Sequence, residues 1–473
     1  MTRTATFEIT GGACVVVPDS LHSMTPYILY EQHDWFEDEI DFLRRLIKPG
    51  QHVIDIGANY GVYTLSLAKL VGPTGAVWAF EPASTTADYL AQGIATNNFT
   101  QVVLERSAVS SRTGTATLSL NDNSELNSLT PTSDSDKTET VRVVTLDQCL
   151  HDYGWRNITL LKIDAEGEEV NIIEGAREFF AALSPLVLYE IKAGRDFHLD
   201  LVRRFADIGY DSYRLIPGLN LLVPFEPDTR PDAYLLNLFC CKADRAASLA
   251  NAGFLVDSSA ATLSGEARDL ANFLESEKTK YPWPQVLAGL PYAAPLLPRW
   301  MQATESADRK EITGAISYFA IGHDTSLVPR LRFAALERGL GAIRDVCRHQ
   351  PSHLRLLSLA RIAADYGSRH EAVTALNQLC ARVGHDNPED FDEPFLAPSE
   401  RFDSLDPNDS LRTWLVAGVL EELELLATYS SYFNGEDSKL RLETIASMGL
   451  ASSEMKRRLQ LIQLRFPAIT PTV

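Results

Sequence analysis

The chain has 473 residues, enough for two or three domains, and its 45% apolar and 22% charged residues allow an ordinary buried globular core. A formal charge of −20 argues against nucleic acid or an anionic membrane surface as the main partner. No apolar run long enough to span a bilayer occurs and no apolar segment follows Met1-Thr2-Arg3-Thr4-Ala5, so neither a span nor a signal peptide is expected and the default address is cytoplasmic.

Cys14, Cys149, Cys240, Cys241, Cys347 and Cys380 are scattered, with no C-x-x-C pair, and read as reduced packing residues rather than disulfides or metal ligands. Along the first 50 residues, Phe7-Glu8-Ile9 and Cys14-Val15-Val16-Val17 predict a hairpin around Gly11-Gly12. Residues 37–47 then space Ile40, Leu43, Leu46 and Ile47 on one helical face. That helix either covers a ligand or caps the sheet that follows.

Val53-Ile54-Asp55-Ile56-Gly57-Ala58-Asn59-Tyr60-Gly61 reads as a buried strand, a tight turn and a helix start. Gly57 and Gly61 are expected to clear side chains from the path of a ligand, and the new helix offers unpaired N–H groups at its N-terminus. The next strand, residues 76–80, ends in Glu81, about 20 residues past the turn, where a carboxylate can accept from both hydroxyls of a ribose. The spacing is not G-x-G-x-x-G, and Asp55 would repel a pyrophosphate. S-adenosylmethionine, with a cationic amino-acid end and a ribose, suits these residues better than NAD.

Residues 83–96 then read as a helix and residues 101–106 as a strand followed by Ser107-Ala108, which either touch an adenine ring or form an ordinary strand exit. Residues 115–120 and 141–146 alternate with period two and flank a polar stretch, predicting a β insertion whose loop overhangs the ligand face and whose tip, residues 132–138, has no role. A second buried strand, residues 159–163, ends in Asp164, with Glu166 and Gly167 in the turn. Glu168 and Glu169 in the following helical turn are accounted for by the helix dipole. The next strand places Glu190 near its end. Three carboxylates at neighbouring strand ends can hold a metal, act as a general base, or hold a sugar by its hydroxyls; no His or fourth ligand accompanies them, and no metal is expected.

Residues 209–215 and 233–241 predict two last strands, a hairpin at the sheet edge with an irregular loop of residues 217–231 between them. Seven strands result. Asn237 is a polar tip facing the site or a bonded core amide.

Asp55-Ile56-Gly57-Ala58-Asn59-Tyr60-Gly61, Phe80-Glu81-Pro82, Ser107-Ala108-Val109-Ser110, Val144-Thr145-Leu146-Asp147 and Lys162-Ile163-Asp164-Ala165-Glu166-Gly167, in this order, resemble the FkbM family of S-adenosylmethionine-dependent methyltransferases. The resemblance implies a Rossmann-like seven-stranded class I methyltransferase sheet with helices on both faces, and O-methylation, often of sugars or polyketide-like products. It also implies that Asp55, Gly57, Ala58, Asn59 and Gly61 hold the methionine part of S-adenosylmethionine, Glu81 the ribose, and Asp164 the side near the methyl group. Asp164 or Glu166 is then the candidate base, and Glu190 orients the acceptor. Two rival readings are an NAD-type oxidoreductase or epimerase, and a non-catalytic scaffold that keeps only the fold.

From residue 247 the pattern turns helical, with amphipathic runs at 255–281 and 295–320. Residues 354–383 read as two antiparallel helices joined at Tyr366-Gly367-Ser368, and Leu359, Ala360, Gly367, Ala372 and Leu376 fall near tetratricopeptide spacing, although a helical hairpin packed on its neighbours explains them without peptide binding. Residues 387–409 form an acidic, proline-bearing connector before helices at 411–429 and 453–464. The expected organisation is an N-terminal hairpin and helix over 1–50, a methyltransferase domain over 51–245 and an all-α domain over 246–473 that binds an acceptor, a protein partner or a second copy.

Overall fold

A computed structural model describes residues 3–129, 137–193, 196–256, 264–383, 390–408 and 410–466. Most of the expected insertion tip, residues 132–136, lies outside the described residues, as do 257–263 of the first helical run and 387–389 and 409 of the acidic connector. The chain divides into two compact units. One holds residues 1–215, 224–231 and 235–249, and the other holds 216–223, 232–234 and 250–473.

The first unit opens with β1 (Thr4–Ile9) and β2 (Ala13–Pro18), paired antiparallel as the glycine turn predicts. Two helices follow, α1 (Met24–Gln32), not foreseen, and α2 (Asp38–Leu46), whose Ile40, Phe42 and Leu43 are buried. The central elements are β3 (His52–Ile56), α3 (Val62–Val71), β4 (Ala76–Phe80), α4 (Ser84–Thr96) and β5 (Val102–Glu105). After the insertion come α5 (Leu146–Tyr153), β9 (Leu160–Ile163), α6 (Glu169–Glu174), α7 (Arg177–Ala182) and β10 (Leu186–Glu190). Strands β3 and β9 are apolar almost throughout because a parallel sheet covered on both faces buries every position. His52, Asp55 and Lys162 are the exceptions.

The insertion is a small sheet of its own, with β6 (Ser107–Val109) parallel and β7 (Gly114–Leu120) antiparallel to β8 (Lys137–Val144). Ser107-Ala108, expected either to touch an adenine ring or to form an ordinary strand exit, thus begin a strand of their own. The predicted end of β8 also moves back. Thr145 leaves the ladder, and its hydroxyl accepts from the Gln148 N–H to cap α5. A two-residue ladder, β11 (Lys192–Ala193) with β12 (Asp196–Phe197), precedes α8 (Asp200–Asp207), β13 (Asp211–Ile216), β14 (Leu221–Pro224) and β15 (Asn237–Cys241).

The main sheet runs β14-β13-β15-β10-β9-β3-β4-β5. It has eight strands rather than seven, because Leu221, Leu222 and Val223 in the segment expected as a loop are buried and extended. The last pair, β13 and β15, is antiparallel as expected. The chain runs from β3 outward through β4 and β5, then returns to β9 on the other side of β3. This reversal opens a crevice at the strand ends between β3 and β9, where open α/β sheets bind ligands.

From residue 264 on, the second unit is helical. Ala307–His323 packs with Pro329–His349, and His353–Tyr366 with Arg369–Val383, the turn between the latter pair made by Gly367 at φ 82°. Leu359, Ala360, Ala372 and Leu376 are buried in that hairpin. Its core centres on Trp414 from Leu411–Ala427, stacked on Tyr292 with ring centroids 4.9 Å apart. Both donors are satisfied, Trp414 Nε1 donating to Leu405 O at 2.9 Å and Tyr292 Oη to Phe395 O at 2.9 Å.

Candidate functional site

Parallel pairing sets Asp55 of β3 opposite Lys162 of β9, and Asp164 follows Lys162 by two residues, so register and pleat bring all three to one face. Asp55 is fully buried, and Thr64 Oγ1 donates to its Oδ2 at 2.6 Å. Lys162 Nζ lies 2.8 Å from Asp164 Oδ2 and 3.9 Å from Asp55 Oδ1, which makes no hydrogen bond. Burial raises the Asp55 carboxyl above its ordinary value, opposed by Lys162 and Thr64. Burial would lower Lys162, but the Asp164 and Asp55 charges more than reverse it and hold the ammonium up.

The turn after β3 is closed by its own backbone. Gly57 and Ala58 both donate to Phe80 O at 3.0 Å, and Gly61 donates to Ala58 O at 2.8 Å. Gly57 and Gly61 have φ of 75° and 87°, which favours glycine. Their missing side chains do not clear a path for a ligand, contrary to expectation. A Cβ on Gly57 would sit 1.7 Å from Asp164 O, and one on Gly61 2.3 Å from Leu90 Cδ1, so both positions serve internal packing.

Glu81 staples the turn to the next strand end. Its Oε2 accepts from Asn59 N and its Oε1 from Ala83 N, each at 2.9 Å. Burial pushes this carboxyl up to about 7 against the pull of those two N–H groups. Each oxygen keeps a further lone pair for a ligand. Asn59, at φ 49°, accepts at its Oδ1 from Ser124 Oγ at 2.9 Å.

Beyond β9, Glu166 is a non-glycine residue at φ 48°, fixed where Ser128 Oγ donates to its carbonyl at 2.9 Å. Burial pushes its carboxyl up to about 8, helped by Asp164 and Glu169. Glu190 is pushed up to about 10 by burial and then by Asp164 and Glu166. One oxygen from each of Asp164, Glu166 and Glu190 lies within 4.8 Å of the others, close enough for the three to share a cation. The Lys162 ammonium already sits on Asp164, and we assign no metal to the cluster. Glu168 and Glu169 do more than face the helix dipole. Glu169 accepts from Ala165 N at 3.0 Å and Gly167 N at 3.1 Å, and Glu168 from Ser110 Oγ at 2.6 Å, holding the turn that carries Glu166.

A cleft of about 950 Å³, its open mouth included, gathers Asp55, Gly57, Ala58, Asn59, Glu81, Ser107, Ala108, Asp164 and Glu166. Gly61 and Glu190 are not on its wall. Ser107 is fully buried, and its hydroxyl, on that wall, makes no hydrogen bond. Asn237 lies opposite Glu190 in register and is buried, its side chain beside the Glu39 carboxyl.

Sequence reasoning missed Thr25, Trp35, Tyr60, Tyr63, Ser124, Glu125 and Lys162, all on the wall. Thr25 N donates to Glu125 Oε1 at 3.1 Å and Met24 N to Asn123 Oδ1 at 3.0 Å, so α1 ties down the insertion. Tyr63 donates to Glu37 Oε2 at 2.5 Å, at the start of α2. The polar Asn121–Glu125 stretch and the Trp35-Phe36 pair just before α2 were the available signals. Neither follows a spacing that names a partner.

The family model of the methyltransferase FkbM domain matches residues 55–212. Among solved structures, the chain is similar to an rRNA methylase from Streptococcus thermophilus (13% identity, TM-score 0.26, covering 43% of this chain and 93% of that one). It is also similar to a SAM-dependent O-methyltransferase from Thermotoga maritima (14%, 0.25, 50% and 77%) and to a SAM-dependent methyltransferase from Aquifex aeolicus (14%, 0.27, 46% and 93%). At these scores the likenesses carry no functional argument. No curated protein matches the chain.

Proposed function

We propose, from the match of the methyltransferase FkbM domain model to residues 55–212, that the chain moves a methyl group from S-adenosylmethionine to a hydroxyl oxygen of a sugar, glycan or secondary metabolite. The observation that carries the reading is the set of buried polar atoms on the cleft wall that make no hydrogen bond, Asp55 Oδ1, Ser107 Oγ and Glu125 Oε2. A buried polar atom left unbonded is costly, and a ligand with an ammonium, a ribose and an adenine offers the complementary groups. In this reading the Asp55 to Asn59 turn takes the methionine part, Glu81 the ribose, Ser107 and Ala108 the adenine, and Asp164 borders the methyl group.

The bound cofactor supplies an activated methyl on a sulfonium, so the protein need only place the acceptor oxygen in line and receive its proton. With that cofactor bound, the methyl group would pass from sulfur to the acceptor oxygen, leaving S-adenosylhomocysteine, and the hydroxyl proton would pass to a carboxylate. Glu166, held protonated up to about pH 8, is a strong acceptor for that proton once it ionises, whereas Asp164 is paired with Lys162. Glu190, one of whose oxygens lies within 4.8 Å of Asp164 and Glu166 just beyond the cleft wall, is the group that would orient the acceptor. The negative charge favours a small molecule over nucleic acid as the acceptor. The helical unit is the candidate surface for a protein partner or a second copy, and the cytoplasm the expected compartment.

Titration calorimetry with S-adenosylmethionine and, separately, NAD tests the cofactor half of this reading. Heat with the first and none with the second is expected, and the reverse sinks it. Mass spectrometry of a glycan or metabolite pool incubated with enzyme and cofactor, seeking one added methyl group, tests the acceptor half.

A further inference from the structure

Lys162 stands out as the buried cation on the cleft wall. Its side chain is 6% exposed, its ammonium lies between Asp164 and the otherwise unbonded oxygen of Asp55, and the Tyr63 ring centroid is 5.0 Å away. The groups facing it are otherwise acidic. Glu37 approaches from the start of α2, held by Tyr63, and Glu166 and Glu190 share oxygens within 4.8 Å of Asp164. Register fixes the arrangement, because Asp55 and Lys162 are paired residues on adjacent parallel strands and Lys162 and Asp164 are two apart on one strand.

We propose that Lys162 is a positioning residue of the methyl-transfer site, anchored by Asp55, which fixes the Asp164 carboxylate and offsets its charge beside the sulfonium. The proposal rests on the methyltransferase reading above. Its physical ground is that methyl transfer discharges a cation. Negative charge next to the sulfonium stabilises the reactant more than a transition state in which that charge is fading, so unbalanced carboxylates would bind the cofactor well and slow its use. A fixed ammonium on Asp164 removes that penalty while leaving the carboxylate in place to border the methyl group. Arginine keeps the charge and methionine only the stem, so the two substitutions separate charge from packing.

The experiment needs no knowledge of the acceptor, because S-adenosylmethionine and S-adenosylhomocysteine differ by one methyl and one positive charge. Calorimetric Kd values for both ligands are measured on the full chain, for the wild type and for Lys162→Met, Lys162→Arg, Asp164→Asn and the double variant Lys162→Met/Asp164→Asn. The ratio Kd(homocysteine form)/Kd(methionine form) is expected to rise about tenfold in Lys162→Met and to fall about tenfold in Asp164→Asn. It should stay near the wild-type value in Lys162→Arg and in the double variant, whose local charge is unchanged. Should Lys162→Met fail to fold, Asp164→Asn and the charge-neutral double variant still decide the matter. A ratio within twofold of wild type in every variant, or equal losses for both ligands, overturns the positioning role and leaves the methyltransferase reading intact. A wild type that binds neither ligand removes that reading, and the proposal falls with it.

Discussion

The carbonyl oxygen of Asp164 occupies the space that a side chain on residue 57 would need, 1.7 Å from where its Cβ would stand. The glycine of the first turn and the acid after β9 are therefore packed backbone against backbone at the point where the sheet reverses direction. Gly57→Ala should cost at least about 2 kcal/mol, combining the left-handed backbone penalty with the clash, and should lower the thermal midpoint by several degrees. A midpoint equal to wild type would show that the turn yields more readily than this geometry implies.

Glu81 and Glu166 titrate higher in the folded protein, near 7 and 8, than their ordinary value of 4.5. Between about pH 4.5 and 8 the fold therefore holds protons that the unfolded chain has released, and stability falls as pH rises through that window. Thermal melts from pH 5 to 9 should show a declining midpoint, with a shallower decline in Glu166→Gln. A midpoint that climbs across the same range would contradict the assignment.

Ser107 separates binding from stability. Its hydroxyl is buried and unbonded, so Ser107→Ala removes an unsatisfied group and should change stability by less than about 1 kcal/mol. Affinity for S-adenosylmethionine should nevertheless weaken about fivefold to tenfold if this hydroxyl meets the adenine. Unchanged calorimetric affinity would remove Ser107 from the binding set.

Glu81→Gln tests the staple between the two turns. The amide has one acceptor where two backbone N–H groups, Asn59 and Ala83, now find one oxygen each. Cofactor affinity should fall at least about tenfold, about 1.4 kcal/mol, and the rise in wild-type affinity expected between pH 6 and 8, as the carboxyl ionises, should vanish. Titrations at pH 6, 7 and 8 read both effects.

In the helical unit, Trp414 is fully buried and stacked on Tyr292, and Trp414→Ala should cost about 3–5 kcal/mol. Chemical denaturation followed by circular dichroism measures the loss. A change under about 1 kcal/mol would show that the core closes around the gap.

Much of the sheet was legible because its central strands are covered on both faces and spell continuous apolar runs, each stopped by glycine or acid at the ligand end. β14 was not, since proline and asparagine around Leu221-Leu222-Val223 outweighed three apolar residues in a row. The site was read as far as single segments allow. Asp55, Glu81, Ser107 and Asp164 each stand at a strand's end, where sequence can point. Lys162 sits inside the same motif, yet its part depends on standing opposite Asp55, and cross-strand register is not written in either strand alone. The glycines were assigned to ligand clearance because spacing shows that a side chain is missing, not what fills its place.

The bonds from Met24 and Thr25 to the insertion, and from Ser124 to Asn59, have a practical corollary. A protein cut to the family-matched segment, 55–212, would lack Thr25, Trp35 and Glu37 and would leave the roof of the pocket without its mooring. An excised fragment that keeps the pocket covered must begin no later than α1, about thirty residues ahead of the family-matched segment.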